Sequence, residues 1–263
     1  MFVSNIDPVL FKLGFLEIRY YGLVYIFGFF LVFLSLIRNR KKLGLNNEGV
    51  YDFIIYSFAG LLIGARIFHF LFSEPFTLIN NPLEIFRLWN GGMSFYGGLI
   101  GLFMAGYIFC KRYKTNFYQL GDIIVFPATI ALALGRLANF TNGELVGTAT
   151  DAFLCVTFQD INGCRHPYQI YASISHLVLL TILLRVKKIK KTMEIKDGLL
   201  MWTFIGFYGL LRIITDFFRE DPRIYGITIW QLISFIILIL SIAIIYKKYN
   251  IKKLFMGFIR TIF

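Results

Sequence analysis

The sequence has few of the residues that organise small soluble folds. Its 263 residues include only three cysteines and three histidines. Cys110, Cys155 and Cys164 follow neither the spacing of a zinc site nor the density of a disulfide scaffold. There is no internal repeat, and the first 16 residues lack the basic region and the small-residue cleavage site of a signal peptide. We therefore expect one domain, residues 1–263, with no metal and no cofactor.

Charge is also scarce, and apolar residues dominate. Charged side chains make up 16% of the chain, whereas 57% of the residues are hydrophobic. A soluble domain of this length could not bury so much apolar surface. Seven apolar segments have about the 20 residues needed to cross a bilayer. They predict an all-α integral membrane protein with seven transmembrane helices, at residues 20–37, 51–72, 93–110, 121–137, 168–185, 198–217 and 228–246.

The basic residues predict the orientation of these helices. The net charge is +12, and 18 of the 27 lysines and arginines lie on one predicted side, within residues 38–42, 111–114, 185–196 and 247–260. Cytoplasmic loops carry such an excess. We expect the N-terminus outside and the C-terminus in the cytoplasm, in a multi-pass protein of the cell (inner or plasma) membrane. The basic side then attracts membrane lipids, and we expect no nucleic acid as a partner.

The opposite side carries the polar loops. The longest of them, residues 139–167, lies between helices four and five, where we expect a polar outer loop or head region. Cys155 and Cys164 both lie in this loop, on the side where thiols can oxidise. Two readings stay open for this pair, a disulfide and two free buried thiols.

Five polar side chains are predicted at similar depth in their helices. Arg66, Arg136 and Arg212 each lie 14 or 15 residues beyond the aspartate at which their segment enters from the cytoplasmic side. At 1.5 Å per residue this is about 21–22 Å. The same measure puts Tyr96 and Tyr21 about 22–25 Å above the basic ends of their segments. Ionisable groups at such depth usually face a protein or water-lined cavity, so we expect one functional layer near the outer headgroups.

Arginines in such a layer favour an anion. A guanidinium matches a phosphate with two parallel hydrogen bonds, and the abundant phosphates at this depth belong to phospholipids. Glu144 and Asp216 add carboxylates, and Arg212 and Asp216 share a helix face. Simpler readings also exist. Arg212 and Asp216 could form a purely structural ion pair, and the Arg66 side chain could simply extend to the membrane interface. The two tyrosines could be ordinary interfacial aromatic residues. His176 lies in the fifth segment with no evident partner.

Six motifs in chain order resemble those of prolipoprotein diacylglyceryl transferases. The longest is residues 135–147 (GRLANFTNGELVG), which begins where the fourth apolar segment ends. The others are residues 19–23 (RYYGL), 64–67 (GARI), 91–98 (GGMSFYGG), 166–171 (HPYQIY) and 212–219 (RIITDFFR). The resemblance covers nearly the whole chain, and six motifs at matching spacing are far more specific than any one of them.

The resemblance implies an enzyme that transfers a diacylglyceryl group from phosphatidylglycerol to the lipobox cysteine of a lipoprotein precursor. A thioether forms and glycerol phosphate leaves. The thiol must become a thiolate to attack, and the departing phosphate needs positive charge beside it. The resemblance implies that Arg136 and Arg212 hold the phosphate, that Gly147 permits close approach and that Tyr21 lines the site; Arg66 joins the substrate-binding set through its depth. The residues implied to orient the headgroup and the arginine are Asn139, Asn142 and Glu144.

The chain departs from the family pattern in several places. Tyr96 stands where the family often carries histidine, and this position is a leading candidate for the base or proton relay. Asp216 replaces a glutamate, Ala138 a glycine, Thr148 a common basic residue and Ala172 a glutamate. The candidate catalytic set is Tyr96, Arg136, Glu144, Arg212 and Asp216.

Two alternative functions stay open. A lipid or anion transporter could bind a passing headgroup with the same arginines, although the sequence shows none of the inverted repeats or broken helices typical of transporters. A homologue that binds lipid or lipoprotein without catalysis is compatible with Tyr96 and Ala172.

Overall fold

The chain divides into two compact units. The computed structural model describes residues 2–13, 16–87, 91–159, 161–249 and 254, and it is mostly helical, at 69%. Unit one comprises Met1–Val32 and Gly121–Phe263, and unit two comprises Phe33–Leu120.

Eight α-helices account for most of the described chain. In order they are α1 (Tyr20–Asn39), α2 (Asn47–Phe72), α3 (Pro75–Asn80), α4 (Phe95–Tyr113), α5 (Phe117–Thr141), α6 (Tyr168–Thr192), α7 (Leu199–Thr215) and α8 (Ile229–Lys248). Two short 3-10 turns, Pro82–Phe86 and Asp216–Phe218, follow α3 and α7.

Four short strands were not expected in an all-α protein. β1 (Phe2–Ser4) pairs in parallel with β4 (Val156–Phe158), and β2 (Val9–Leu13) pairs antiparallel with β3 (Leu16–Arg19). Strands of three to five residues are too short to give a clear alternating pattern in sequence. The all-α expectation is therefore corrected to a mostly helical fold with two small two-stranded sheets.

Six helices of the described chain are long and apolar enough to cross a membrane. They are α1, α2, α5, α6, α7 with the turn that follows it, and α8. Each of the seven predicted segments coincides with a helix, but α4, in the third segment, is not among the six. Its glycines and the basic residues Lys111 and Arg112 of its last turn lower its hydropathy.

In unit one, polar contacts fix the helix packing. The Ser173 hydroxyl on α6 donates to the Ala133 carbonyl of α5 at 3.0 Å. Asp122 accepts from the backbone N–H groups of Gly198 and Met201 at 2.9 Å each, so it caps the start of α7. Nζ of Lys190 lies 2.7 Å from Oδ2 of Asp122 and neutralises the carboxylate. These contacts hold α5, α6 and α7 together.

In unit two, glycines bring α2 and α4 into backbone contact. A Cβ on Gly64 would lie 2.3 Å from the Gly97 carbonyl oxygen, and one on Gly101 would lie 1.9 Å from that of Gly60. Any larger residue would clash at these positions, so only glycine lets the two helix backbones lie this close. Small residues are common where membrane helices pack closely. Ser94 caps α4 by accepting from the Gly97 N–H at 3.3 Å.

Candidate active site

An open cavity in unit one is lined by α5, α6 and α7. About 270 Å³ of space free of protein atoms lies in it, part of it continuous with open solvent. Arg136 from α5 and Arg212 from α7 both line it, so the structure brings together two of the predicted phosphate ligands. The other polar residues that line it are Tyr168, Ser175, His176, Tyr208 and Thr215.

Arg212 is held by a buried carboxylate. Its Nε lies 3.2 Å from Oδ2 of Asp216, which has no exposed surface. The Tyr168 hydroxyl donates to the other carboxylate oxygen of Asp216 at 2.9 Å. Arg212 also donates from Nη1 to the Tyr208 hydroxyl at 3.4 Å. The predicted i, i+4 pair is confirmed, and it fixes the guanidinium while leaving N–H groups for a ligand.

Arg136 has fewer partners. In the described part of the chain its side chain makes one hydrogen bond, from Nη1 to Oδ1 of Asn139 at 3.5 Å. Asn139, one turn further along α5, is only 5% exposed. A guanidinium carries five N–H donors, so Arg136 retains most of them for an anion in the cavity.

The chain after α5 folds back on itself. Gly143 and Leu145 adopt left-handed backbone conformations, with φ of 66° and 53°, and the Glu144 N–H donates to the Asn139 carbonyl at 3.0 Å. Within this turn, the Asn142 amide donates to Oε1 of Glu144 at 2.5 Å. Gln169 at the start of α6 donates to the Glu144 carbonyl at 2.6 Å. The long motif is therefore a helix end and turn that present Glu144 on the surface.

Gly147 lies where two backbone segments meet it. It pairs with Arg219 in an isolated antiparallel bridge. A Cβ there would lie 2.3 Å from the His166 carbonyl oxygen and 2.8 Å from that of Phe218. The close approach implied for Gly147 is thus an approach of protein backbone, and it joins three of the six motifs.

Tyr21 lies near the beginning of α1, in unit one. Its hydroxyl is 3.4 Å from that of Tyr25, and the two rings meet edge to face with centroids 5.3 Å apart. Tyr25 in turn lies within electrostatic reach of Glu144.

Arg66, in unit two, has a different role from the arginines of the cavity. It is 4% exposed, and it donates to five backbone carbonyls. They belong to Glu84, Ile85, Arg87, Gly91 and Gly92. Depth alone predicts a guanidinium that faces the substrate. The five bonds, however, equal the number of N–H donors that a guanidinium has. Arg66 therefore holds the loop that precedes α4.

Tyr96 is the second residue of α4 in unit two and is 37% exposed. In the same unit, Nε2 of His69 lies 3.4 Å from a Glu74 carboxylate oxygen. His69 thus has a polar partner just beyond the end of its own helix, α2.

The loop between α5 and α6 contains a disulfide between Cys155 and Cys164, whose Cα atoms are 5.5 Å apart. This decides between the two readings of that pair. After the 3-10 turn that follows α7, Nε of Arg219 lies 3.0 Å from Oδ2 of Asp221. Burial raises the pKa of Asp221, and the Arg219 charge opposes this shift.

Among the cavity residues that were not predicted as site residues, three have polar rings. Tyr168 and Tyr208 contact the Asp216–Arg212 pair, and His176 lies on the cavity wall. The four-residue spacing of Tyr208 before Arg212 could have indicated a shared helix face. Tyr168 and Asp216 are 48 positions apart, so no local pattern could have paired them.

The sequence is similar to those of known proteins over most of its length. Residues 8–247 match the model of a family described as prolipoprotein diacylglyceryl transferase. Relatives named phosphatidylglycerol–prolipoprotein diacylglyceryl transferase include one from Geobacter sulfurreducens, 40% identical over 91% of this chain and 94% of its own length. One from Rickettsia bellii is 37% identical over 94% and 97%, and one from Ehrlichia ruminantium is 36% identical over 92% and 96%. The chain therefore belongs to the prolipoprotein diacylglyceryl transferase family.

Proposed function

We propose that this protein transfers the diacylglyceryl group of phosphatidylglycerol to the lipobox cysteine of a lipoprotein precursor. The name of its relatives supports both the donor and the protein substrate. The observation that carries the proposal is the cavity lined by Arg136 and Arg212, in which both guanidinium groups keep N–H donors for a lipid phosphate.

The reaction is a displacement at carbon. The cysteine thiolate attacks the carbon of the diacylglyceryl group that bears the phosphate ester oxygen. A C–S bond forms as the C–O bond breaks, and glycerol phosphate leaves with the bonding electrons. Negative charge grows on the phosphate, so Arg136 and Arg212 stabilise the transition state more than the bound lipid. The thiol proton passes to an acceptor of the protein.

The surrounding residues orient these groups. Asp216 is fully buried and bonded by Tyr168, so we assign it to holding Arg212. Asn139 approaches Arg136, and Asn142 holds the Glu144 side chain. We assign substrate contacts to Tyr21 and to the turn that contains Asn142. We assign a structural role to Gly147, which lets the backbone after that turn pack closely against neighbouring segments.

Proton transfer is assigned to Tyr96, with Glu144 as the alternative acceptor. Glu144 offers an exposed carboxylate as a proton acceptor. An ordinary tyrosine, with a pKa near 10, is a poor base and acts better as a relay. Tyr96 occupies the position at which the family often has histidine.

We further propose one polytopic domain of the inner or plasma membrane, with α4 as a seventh span. The N-terminus lies outside, the C-terminus lies in the cytoplasm, and residues 139–167 form the outer polar region. The one-sided lysine and arginine clusters support this orientation. The Cys155–Cys164 disulfide also supports it, because disulfides persist in oxidising compartments.

The test is mass spectrometry of a lipobox peptide after incubation with the purified protein and phosphatidylglycerol. We expect a diacylglyceryl adduct on the cysteine and an equal amount of glycerol phosphate. A peptide with serine in place of cysteine is the control. Lipid movement across vesicles without an adduct would favour a transporter, and lipid binding without an adduct would favour a non-catalytic homologue.

A further inference from the structure

His176 brings an unpaired nitrogen to the wall of the arginine cavity. The residue is 5% exposed and lines the cavity together with Arg136 and Arg212. Its Nε2 is buried and has no hydrogen-bond partner among the described residues. A buried polar atom without a partner is costly, so such an atom beside a ligand cavity points to a ligand.

The other ring nitrogen fixes what Nε2 can bind. Nδ1 of His176 bonds to the carbonyl oxygen of Ala172, one turn earlier on α6. A carbonyl only accepts hydrogen bonds, so Nδ1 carries the proton in the neutral imidazole and Nε2 presents a lone pair. The site next to Nε2 therefore requires a donor.

A phosphodiester cannot be that donor, because at neutral pH its oxygens only accept. Two donors of the proposed substrates remain, a hydroxyl of the headgroup glycerol and the cysteine thiol. In a displacement, the attacking sulfur lies on the far side of the carbon from the leaving oxygen. Arg136 and Arg212 hold the leaving phosphate, and His176 shares their cavity. The glycerol hydroxyls, attached through that phosphate, are thus the donors on the side of His176.

We propose that His176 is a specificity-determining residue, whose Nε2 accepts a hydrogen bond from a glycerol hydroxyl of phosphatidylglycerol. This inference rests on the proposed function. It gives the cavity two separate tasks: the arginines bind the phosphate that any phospholipid carries, and His176 recognises the hydroxyl that distinguishes a glycerol headgroup. Replacement of His176 should therefore weaken headgroup discrimination rather than chemistry.

The experiment compares phosphatidylglycerol with phosphatidylpropanol, which has the same phosphodiester and lacks both headgroup hydroxyls. Transfer to a lipobox peptide is measured with each lipid, and the ratio of their kcat/KM values gives the discrimination. We expect the parental protein to prefer phosphatidylglycerol, and His176→Leu to lower this ratio about tenfold, the effect of one lost hydrogen bond. His176→Gln keeps an acceptor oxygen and should keep most of the preference. Thr181→Ala is the matched control, because Thr181 also bonds to a carbonyl one turn back on α6 and is exposed.

Three results would overturn the inference. The first is equal kcat/KM for the two lipids in the parental protein, which needs no variant to fold. The second is an unchanged ratio in a folded His176→Leu protein that keeps the parental kcat. The third is a His176→Leu protein whose kcat falls equally with both lipids, which would place the thiol at Nε2 instead. If the parental protein forms no adduct from either lipid, the proposed function itself fails. If it forms adducts equally well from both lipids, only the inference about His176 fails.

Discussion

Arg212 and Asp216 form an ion pair of 3.2 Å in which the carboxylate has no contact with solvent. A buried carboxylate needs partners for both oxygens, and the hydroxyl of Tyr168 supplies the second at 2.9 Å. The pair therefore fixes the direction of one arginine of the cavity.

The first prediction concerns Asp216. Asp216→Asn removes the charge and leaves Arg212 buried with no counter-ion, a change that costs about 3–5 kcal/mol in comparable buried pairs. We expect a lower thermal unfolding temperature in detergent and a large loss of transfer. Asp216→Glu keeps the carboxylate and should retain more of both. Parental activity in Asp216→Asn would show that Arg212 needs no buried partner.

The second prediction concerns Arg136. Arg136→Ala and Arg136→Lys should each reduce kcat/KM by roughly a hundredfold or more, because a lysine cannot bind a phosphate through two parallel hydrogen bonds. Transfer from phosphatidylglycerol to a lipobox peptide measures the loss. Arg87→Lys, at a half-exposed arginine of unit two, is the control and should behave as the parental protein. Near-normal turnover in Arg136→Lys would exclude the two-bond contact with phosphate.

The third prediction concerns Gly147. Gly147→Ala places a methyl group 2.3 Å from the carbonyl oxygen of His166, so the backbone must move. We expect a destabilisation of about 1–3 kcal/mol, the usual cost of overpacking, seen as a lower unfolding temperature. Gly135→Ala is the matched control because nothing lies within 4 Å of its added Cβ. Equal unfolding temperatures for the two variants would contradict this prediction.

The fourth prediction concerns the Cys155–Cys164 disulfide. Alkylation of the unfolded protein should modify only Cys110 before reduction and all three cysteines after it. Equal labelling in both conditions would rule out the bond. Replacement of both cysteines by serine should cost about 2–4 kcal/mol, since the disulfide restricts the unfolded chain.

The fifth prediction concerns Tyr96. Tyr96→Phe keeps the ring and removes only the hydroxyl, so we expect a large fall in transfer rate with little change in lipid binding. Tyr96→His, which has the residue common in the family, should keep partial activity. If Tyr96→Phe transfers at the parental rate from about pH 6 to 9, the hydroxyl takes no part and Glu144 becomes the leading proton acceptor.

Local sequence determined the helices and the family. Hydrophobic runs of membrane length locate helices without reference to the rest of the chain, because each helix satisfies its own backbone hydrogen bonds. All seven predicted segments coincide with helices. The i, i+4 spacing of Arg212 and Asp216 likewise predicted a contact that depends only on helix geometry.

Tertiary structure decided what each deep arginine does. Arg66 and Arg136 were indistinguishable by depth, yet Arg66 donates to five carbonyls of a loop 18 to 26 residues away, and Arg136 lines a cavity with most of its donors available. Depth along a helix follows from counting residues. The direction a side chain faces, and the groups it meets there, follow from how distant segments pack, which no local pattern records. For the same reason, His176 had no evident partner in the sequence, and only the packing of α5, α6 and α7 places it beside two arginines.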